Sequence, residues 1–366
     1  MNIENKKIFI TGSTGFIGCR LAEVFYLKTS AEPICLVHNY ANAARLARLP
    51  VKMIKGDILD LQLLEEAISG CEIVFNCAFG KTGDPQLDSY INEEGTRNVL
   101  IAAKKNGVKR IIHISTIAVY GHHPPQEVDE ETPTVYSGWS YGDSKLNAEK
   151  ICQEYINRGL EVVIVRPTIV YGPFSHNWTI NALKRVQYRG WEKVKGHDGW
   201  CNPIYVDDLI NGLLLCAEIE AAKGEIFILS GDEIVTWNEY FQAYNRLVGL
   251  PEFKVRTRSS IYLKTFLSRP LKWGINLGRK YFEKTLFNVY QEIQRKYPGL
   301  TRKMDRLFRS SIQPEEFKFF AQKSKFSIKK AQSILEYNPA YSFEKGIEIT
   351  GKWLKHHGYI ESDSMI

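Results

Sequence analysis

Tyr141 and Lys145 stand four residues apart in a stretch whose pattern from Tyr141 to Tyr155 is helical, so their side chains share one face. A phenol titrating at about 10 is a poor base at neutral pH. An ammonium one helical turn away favours the phenolate and draws its pKa toward the working range. Such a pair could take the hydroxyl proton of a carbinol as its hydride leaves. On an isolated helix the same spacing reads first as a solvated surface pair. What raises it above that is the preceding run Val108–Thr116, a strand ending in two hydroxyls, Ser115 and Thr116.

A second constellation lies near the start, at Thr11-Gly12-Ser13-Thr14-Gly15-Phe16-Ile17-Gly18. The β-branched run Lys7–Ile10 before it suits a buried parallel strand. The run from Phe16 to Leu27 after it places Ile17, Leu21, Val24 and Phe25 on one helical face. Gly12 would permit the tight turn, Gly15 the approach of a pyrophosphate, and Gly18 close packing of helix on strand. The free N–H groups and positive dipole of the helix start could then hold a diphosphate. The spacing is G-x-x-G-x-x-G rather than the commoner G-x-G-x-x-G, so a plain strand–helix turn is the rival reading.

The elements that must position these groups alternate along the chain. Further strands are expected at Pro33–Val37, Val51–Asp57, Glu72–Ala78, Val108–Thr116 and Glu161–Arg166, with helices between them, one over Ile91–Asn106. Asp60 is expected to cap the helix after the third strand. This alternation predicts a Rossmann-like, doubly wound parallel sheet of the α/β class, with a smaller mixed C-terminal substrate domain. The dinucleotide domain is expected at 1–175, with 203–235 returning to it, and the substrate domain at 176–202 and 236–366. A polar loop, His122–Gly138, should border the substrate.

The second strand ends at His38-Asn39, where such a fold chooses its cofactor. A carboxylate there would favour NAD and a cation NADP. This chain has neither; His38 and the more distant Arg45 lean slightly to NADP, with a surface-loop histidine as the bland alternative.

Composition fits a globular enzyme, with 44% hydrophobic and 24% charged residues. The seven cysteines are scattered with no CxxC, which argues against a disulfide framework or a zinc site and suits a reducing, cytoplasmic setting. The chain runs almost directly into a strand, with no leader-like or membrane-spanning run. The net charge of +7 is uneven. Residues 254–330 hold 20 Lys and Arg against 5 Asp and Glu, so the remainder is near −8. This basic, aromatic insert, at about 254–325, reads as a lid or a homodimer surface, or as a peripheral contact with anionic lipid. Nucleic acid is disfavoured because no recognised binding motif accompanies the charge.

Taken together the motifs resemble an extended short-chain dehydrogenase/reductase of the NAD-dependent epimerase/dehydratase family. The likeness rests on Thr11–Gly18, Asp57, Asn76-Cys77-Ala78, Asn92 with Gly95-Thr96, Ser115-Thr116 with Val119-Tyr120-Gly121, and Tyr141–Lys145. It continues through Arg166-Pro167, Val170–Pro173 and Tyr205–Asp208, covering residues 8 to about 236. The resemblance implies Tyr141 as acid or base, Lys145 lowering its pKa and binding the nicotinamide ribose, and Thr116, rather than Ser115, holding the substrate oxygen. It implies a cofactor site of Gly12, Thr14, Gly15, Phe16, Ile17, Gly18, His38, Asp57, Ile58, Cys77, Ala78, Lys145, Pro167 and Thr168. Asp57 could equally be a helix-start acid, and Asn92 could brace the site or cap its helix. Asp207 and Asp208 are expected to tie the C-terminal region to the sheet.

On the substrate side the resemblance points to Phe79, Thr116, Tyr141, Asn177 and Trp178. Basic and aromatic residues from Arg185 to Trp200 could hold a nucleotide diphosphate or could be a solvated helix over core aromatics. Ile117 and Ala118 stand where sugar-nucleotide 4,6-dehydratases carry an Asp-Glu pair, so dehydration is disfavoured. The expected function is NAD- or NADP-dependent oxidoreductase or epimerase chemistry on a small molecule, foremost a nucleotide-linked sugar. An NADPH-dependent ketone reductase or alcohol dehydrogenase of a lipid or secondary-metabolite pathway is the alternative. A non-catalytic dinucleotide sensor is the third reading.

Overall fold

A computed structural model describes residues 2–189, 191–196, 198–261, 292, 296 and 316–361. The chain divides into two units. The first comprises Met1–Ser175, Asn202–Glu233 and Ser324–Gly346, and the second His176–Cys201, Ile234–Lys323 and Ile347–Ile366.

The first unit is built on seven strands: β1 (Lys7–Thr11), β2 (Glu32–Val37), β3 (Lys52–Lys55), β4 (Ile73–Asn76), β5 (Arg110–Ile114), β6 (Val162–Pro167) and β7 (Ile226–Leu229). Their order in the sheet is β7-β6-β5-β4-β1-β2-β3, and every pairing is parallel. β1, β4, β5 and β6 are buried almost throughout, because helices cover the sheet and leave neither face to water. The helices are α1 (Phe16–Lys28), α2 (Leu61–Ile68), α3 (Pro85–Lys105), α4 (Ser140–Ile156) and α5 (Val206–Glu218). β1 lies between β2 and β4, so the chain leaves it in opposite directions across the sheet. The strands' carboxyl ends at this switch point are where such sheets bind ligands.

α3 begins at Pro85, six residues before the apolar periodicity suggests. Asp84 caps it, accepting from Gln86 N at 2.9 Å and Leu87 N at 3.4 Å, and Pro85 brings a preset helical φ. The added turns are mostly exposed, which hides them from a search for an apolar face. Asn92 is therefore inside the helix and does not cap it. Asp60 does cap α2, accepting from Leu63 N at 3.1 Å.

The returning segment Ser324–Gly346 belongs to the first unit, which corrects its assignment to the substrate domain. Lys325–Phe326 pairs in parallel with Glu127–Val128. Asp208, at the start of α5, accepts from Ala340 N at 2.7 Å and Tyr341 N at 3.3 Å. Asp207 holds Arg20 through two bonds, at 2.6 and 2.9 Å.

The second unit is packed around aromatic rings. Thr236 and Glu239 form a reciprocal cap at the start of the helix Trp237–Leu247. Trp191 stacks on Phe241 with centroids 4.0 Å apart, and Trp237 meets Phe320 edge-on at 5.1 Å. No helix among the described residues is long and apolar enough to cross a membrane. Most of the basic insert, on which the lid, dimer and lipid readings rest, lies outside the described residues.

Candidate active site

The turn after β1 is built around a backbone contact. Gly12 has φ +60°, and a Cβ there would stand 2.6 Å from the Cys77 carbonyl carbon. A Cβ on Gly18 would stand 2.5 Å from Gly12 O, so both positions exclude any side chain. Gly15 is the N-cap of α1, and the first turn of hydrogen bonding there is Cys19 N to Gly15 O at 3.0 Å. The N–H groups of Phe16, Ile17 and Gly18 thus have no acceptor in their own helix. Thr14 sits in the turn with them. This side-chain-free cradle of outward N–H groups fits a dinucleotide pyrophosphate.

The floor beside it is fixed by hydroxyl and amide bonds. Thr11 Oγ1 donates to Asn76 Oδ1 at 2.7 Å and accepts from Ala78 N at 3.2 Å. Cys77 is half-buried, and burial pushes its thiol up to about 12, so it stays protonated. At the end of β2, His38 Nε2 lies 3.2 Å from Asp57 Oδ2, both well exposed. Asp57 also accepts from Leu59 N at 2.9 Å. Ile58 is buried, and its carbonyl accepts from Asn98 at 3.3 Å. Arg45 forms two 2.6 Å bonds to Glu23 and lies 3.8 Å above the Phe174 ring. His38 thus lies beside Asp57 and Arg45 is paired with Glu23, so these contacts lend the lean to NADP no support.

At the carboxyl end of β5, Thr116 caps the short turn Ile117–Tyr120, accepting from Ala118 N at 3.2 Å. Burial pushes the Tyr141 phenol pKa up, and the neighbouring Thr116 hydroxyl eases it partly back down. Lys145 is 4% exposed, and its Nζ donates to Ile114 O at 2.9 Å. Burial pulls its ammonium down to about 8. The expectation that Lys145 depresses the Tyr141 pKa is corrected here. The ammonium is engaged with the β5 carbonyl, and the group that eases the phenol is Thr116.

α3 braces this site. Asn92 accepts from Gly80 N at 2.8 Å and donates to Ser144 Oγ at 2.9 Å, while Ser144 Oγ donates to Tyr141 O at 3.1 Å. Phe79, 47% exposed, meets the Tyr141 ring edge-on at 6.2 Å. Trp139, 45% exposed, lies 5.3 Å from the same ring and stacks on His122 at 5.7 Å. His122 opens the polar loop expected to border the substrate, whereas Trp139 lies just past that loop and was not singled out; its place two residues before Tyr141 was the available signal.

Pro167 ends β6. Thr168 is buried, its hydroxyl bonded to Ser230 Oγ at 3.0 Å. Asn177 and Trp178 lie in the second unit. Asn177 is exposed, whereas the Trp178 ring lies 5.5 Å from Trp237 and its carbonyl accepts from Tyr244 at 2.9 Å. Arg185, a candidate diphosphate ligand, is instead bonded to Glu316 at 3.0 and 2.8 Å, with its guanidinium 5.1 Å from the Phe320 ring.

A parallel sheet with a glycine cradle at its switch point defines a dinucleotide-binding α/β protein. Residues 8–230 match the NAD dependent epimerase/dehydratase family, and the chain belongs to it. The cofactor is accordingly NAD or NADP. Over 235 residues the chain is 29% identical to N-acetyl-alpha-D-glucosaminyl-diphospho-ditrans,octacis-undecaprenol 4-epimerase of Escherichia coli O157:H7, covering 61% of this chain and 66% of that protein. It is 27% identical over 263 residues to 2-alkyl-3-oxoalkanoate reductase of Shewanella oneidensis, covering 66% of each. The chain thus spans just under two thirds of the length of these two relatives. The fold matches that of UDP-glucuronic acid 4-epimerase from Bacillus cereus, solved with NAD, at TM-score 0.70 and 20% identity, over 96% of this chain and 99% of that one.

Proposed function

We propose that the protein is an NAD- or NADP-dependent oxidoreductase or epimerase acting at a hydroxyl-bearing or keto carbon, with a nucleotide-linked sugar as the leading substrate. The neighbouring Thr116 and Tyr141 hydroxyls, with the buried Lys145 one helical turn further along at the carboxyl edge of the sheet, carry this reading. The bound nicotinamide supplies and accepts hydride. Thr116 holds the substrate oxygen, and Tyr141 passes it a proton as the carbon gains hydride, or takes that proton as hydride leaves. Lys145 stays protonated below about pH 8 and is the candidate partner of the nicotinamide ribose. Because burial favours the neutral phenol, Tyr141 begins as the acid. The rate of ketone reduction should therefore hold at neutral pH and fall as pH rises through the Tyr141–Lys145 titration, while carbinol oxidation should climb over the same range. Steady-state rates in both directions across pH test this; parallel profiles would remove Tyr141 as the proton carrier.

The similarity to the undecaprenol-linked epimerase supports a diphosphate-linked sugar, on a nucleotide or on a lipid. A second reading has its own observation. The exposed rings of Phe79 and Trp139 against Tyr141 suit an apolar ketone, as for a reductase that exchanges its cofactor at each turnover. Denaturing the purified protein and identifying any released dinucleotide separates the two. NAD retained at about one per chain supports the epimerase, which must keep its hydride between half-reactions. An empty protein that turns over NADPH with a 3-oxoalkanoate supports the reductase.

A further inference from the structure

Glu149 lies one helical turn beyond Lys145 on α4 and is buried, as is Arg166 on β6. Its carboxylate accepts from Arg166 Nε at 3.0 Å and Nη2 at 2.7 Å. It also accepts a short bond from the Ser115 hydroxyl. Arg166 Nη1 donates to the Tyr120 hydroxyl at 2.7 Å, and Tyr120 donates to Asp129 O at 2.8 Å. Burying such a pair gains little stability over an apolar replacement of the same size, so its presence calls for another role. The chain of bonds runs from Ser115 through Glu149 and Arg166 to Tyr120, beside the reacting groups in sequence. Ser115 directly precedes Thr116, Tyr120 ends the turn that Thr116 caps, and Lys145 shares a helix face with Glu149.

We propose that Glu149, held by Arg166, is a positioning residue that locks the Ser115–Thr116 corner to the helix carrying Tyr141 and Lys145. This rests on the roles proposed for those three residues. The groups bearing on Lys145 are Cys77 after β4, His113 on β5, and Cys152 and Glu149 further along its own helix. Of these only Glu149 is a carboxylate, and it favours the ammonium. His113 is buried, held neutral by its surroundings, and so adds no charge.

The test titrates the Lys145 side chain by NMR in the full-length protein, assigned by its loss in Lys145→Met, for wild type, Glu149→Gln and Ser115→Ala. Melting curves and NAD affinity monitor the fold. Glu149→Gln should lower the Lys145 midpoint by roughly half a unit or more, since it removes an opposite charge. Ser115→Ala should leave that midpoint in place and lower turnover of a nucleotide-sugar probe about tenfold at unchanged KM. Folded variants with wild-type midpoint and turnover would overturn the proposal. If Glu149→Gln does not fold, Ser115→Ala and Tyr120→Phe decide by the same split of kcat from KM, and wild-type kcat in both overturns it. Tyr141→Phe assayed alongside keeps the two claims apart. A fully active Tyr141→Phe sinks the proposed reaction, whereas an inactive one beside unaffected Ser115→Ala and Glu149→Gln sinks only the positioning role.

Discussion

Lys145 carries its charge where the protein interior penalises it. Its pKa falls from 10.5 to about 8, so between those values the unfolded chain binds a proton that the folded chain has lost. Stability contributed by this residue therefore rises with pH across that window and is lowest below about 8. Lys145→Met should accordingly stabilise the fold at neutral pH, by on the order of 2 kcal/mol once the lost bond to Ile114 O is set against the relieved charge. Thermal melting at pH 7 checks this, and a lower Tm would show that the hydrogen bond outweighs the desolvation. The same variant should be inactive, which marks the residue as kept for chemistry at the expense of stability. Tyr141→Phe keeps the ring packing against Phe79 and Trp139 but removes the proton. It should cost at least about a hundredfold in kcat, the usual scale for a general acid.

At the level of elements, the cradle depends on β1 and α1 meeting at Gly12 and Gly18, with no space for a methyl group between Gly12 and the strand-end backbone at Cys77. Gly12→Ala meets both that contact and a left-handed φ. It should lower stability by about 2 kcal/mol or more and abolish NAD binding, as measured by melting and calorimetric titration. A variant that bound NAD normally would show that the turn can shift. This unit was legible in the sequence because a β-branched run, three glycines and an amphipathic stretch each point to the same local structure. The strand-end hydroxyls at Ser115-Thr116 and the Tyr141–Lys145 spacing were legible for a similar reason. The start of α3 was not, because Leu87 and Tyr90 face outward there and only the Asp84-Pro85 cap marks it. The Glu149–Arg166 pair was hidden for a different reason. Charges 17 residues apart on a helix and a strand read as solvated until burial joins them. The direction of the Tyr141 shift was misread because spacing predicts a shared face, not where the ammonium points.

Across the whole molecule, the first unit is completed by sequence from three separate stretches. Asp208 secures the last of these, and burial lifts its carboxyl to about 6 although two backbone N–H groups favour its charge. Asp208→Ala would leave the amides of Ala340 and Tyr341 unpaired. It should cost about 2 kcal/mol and open the chain around Tyr337–Tyr341 to limited proteolysis; unchanged protection would mean that the segment is held elsewhere. That the C-terminal region ties back at Asp208 was legible in the sequence, whereas the unit that Ser324–Gly346 joins was not, because nothing in its composition tells it. The central claim is that Tyr141, aided by Thr116 and Lys145, moves the proton while a dinucleotide in the Gly12–Gly18 cradle moves hydride. The most direct measurement mixes NAD-loaded protein with UDP-glucose or UDP-glucuronic acid and follows the near-ultraviolet absorbance of reduced nicotinamide in wild type and Tyr141→Phe. The account predicts reduction in the wild type with at least one of these sugars, slowed about a hundredfold or more in the variant. Equal rates in the two proteins, or no reduction in either while NAD remains bound, would contradict it.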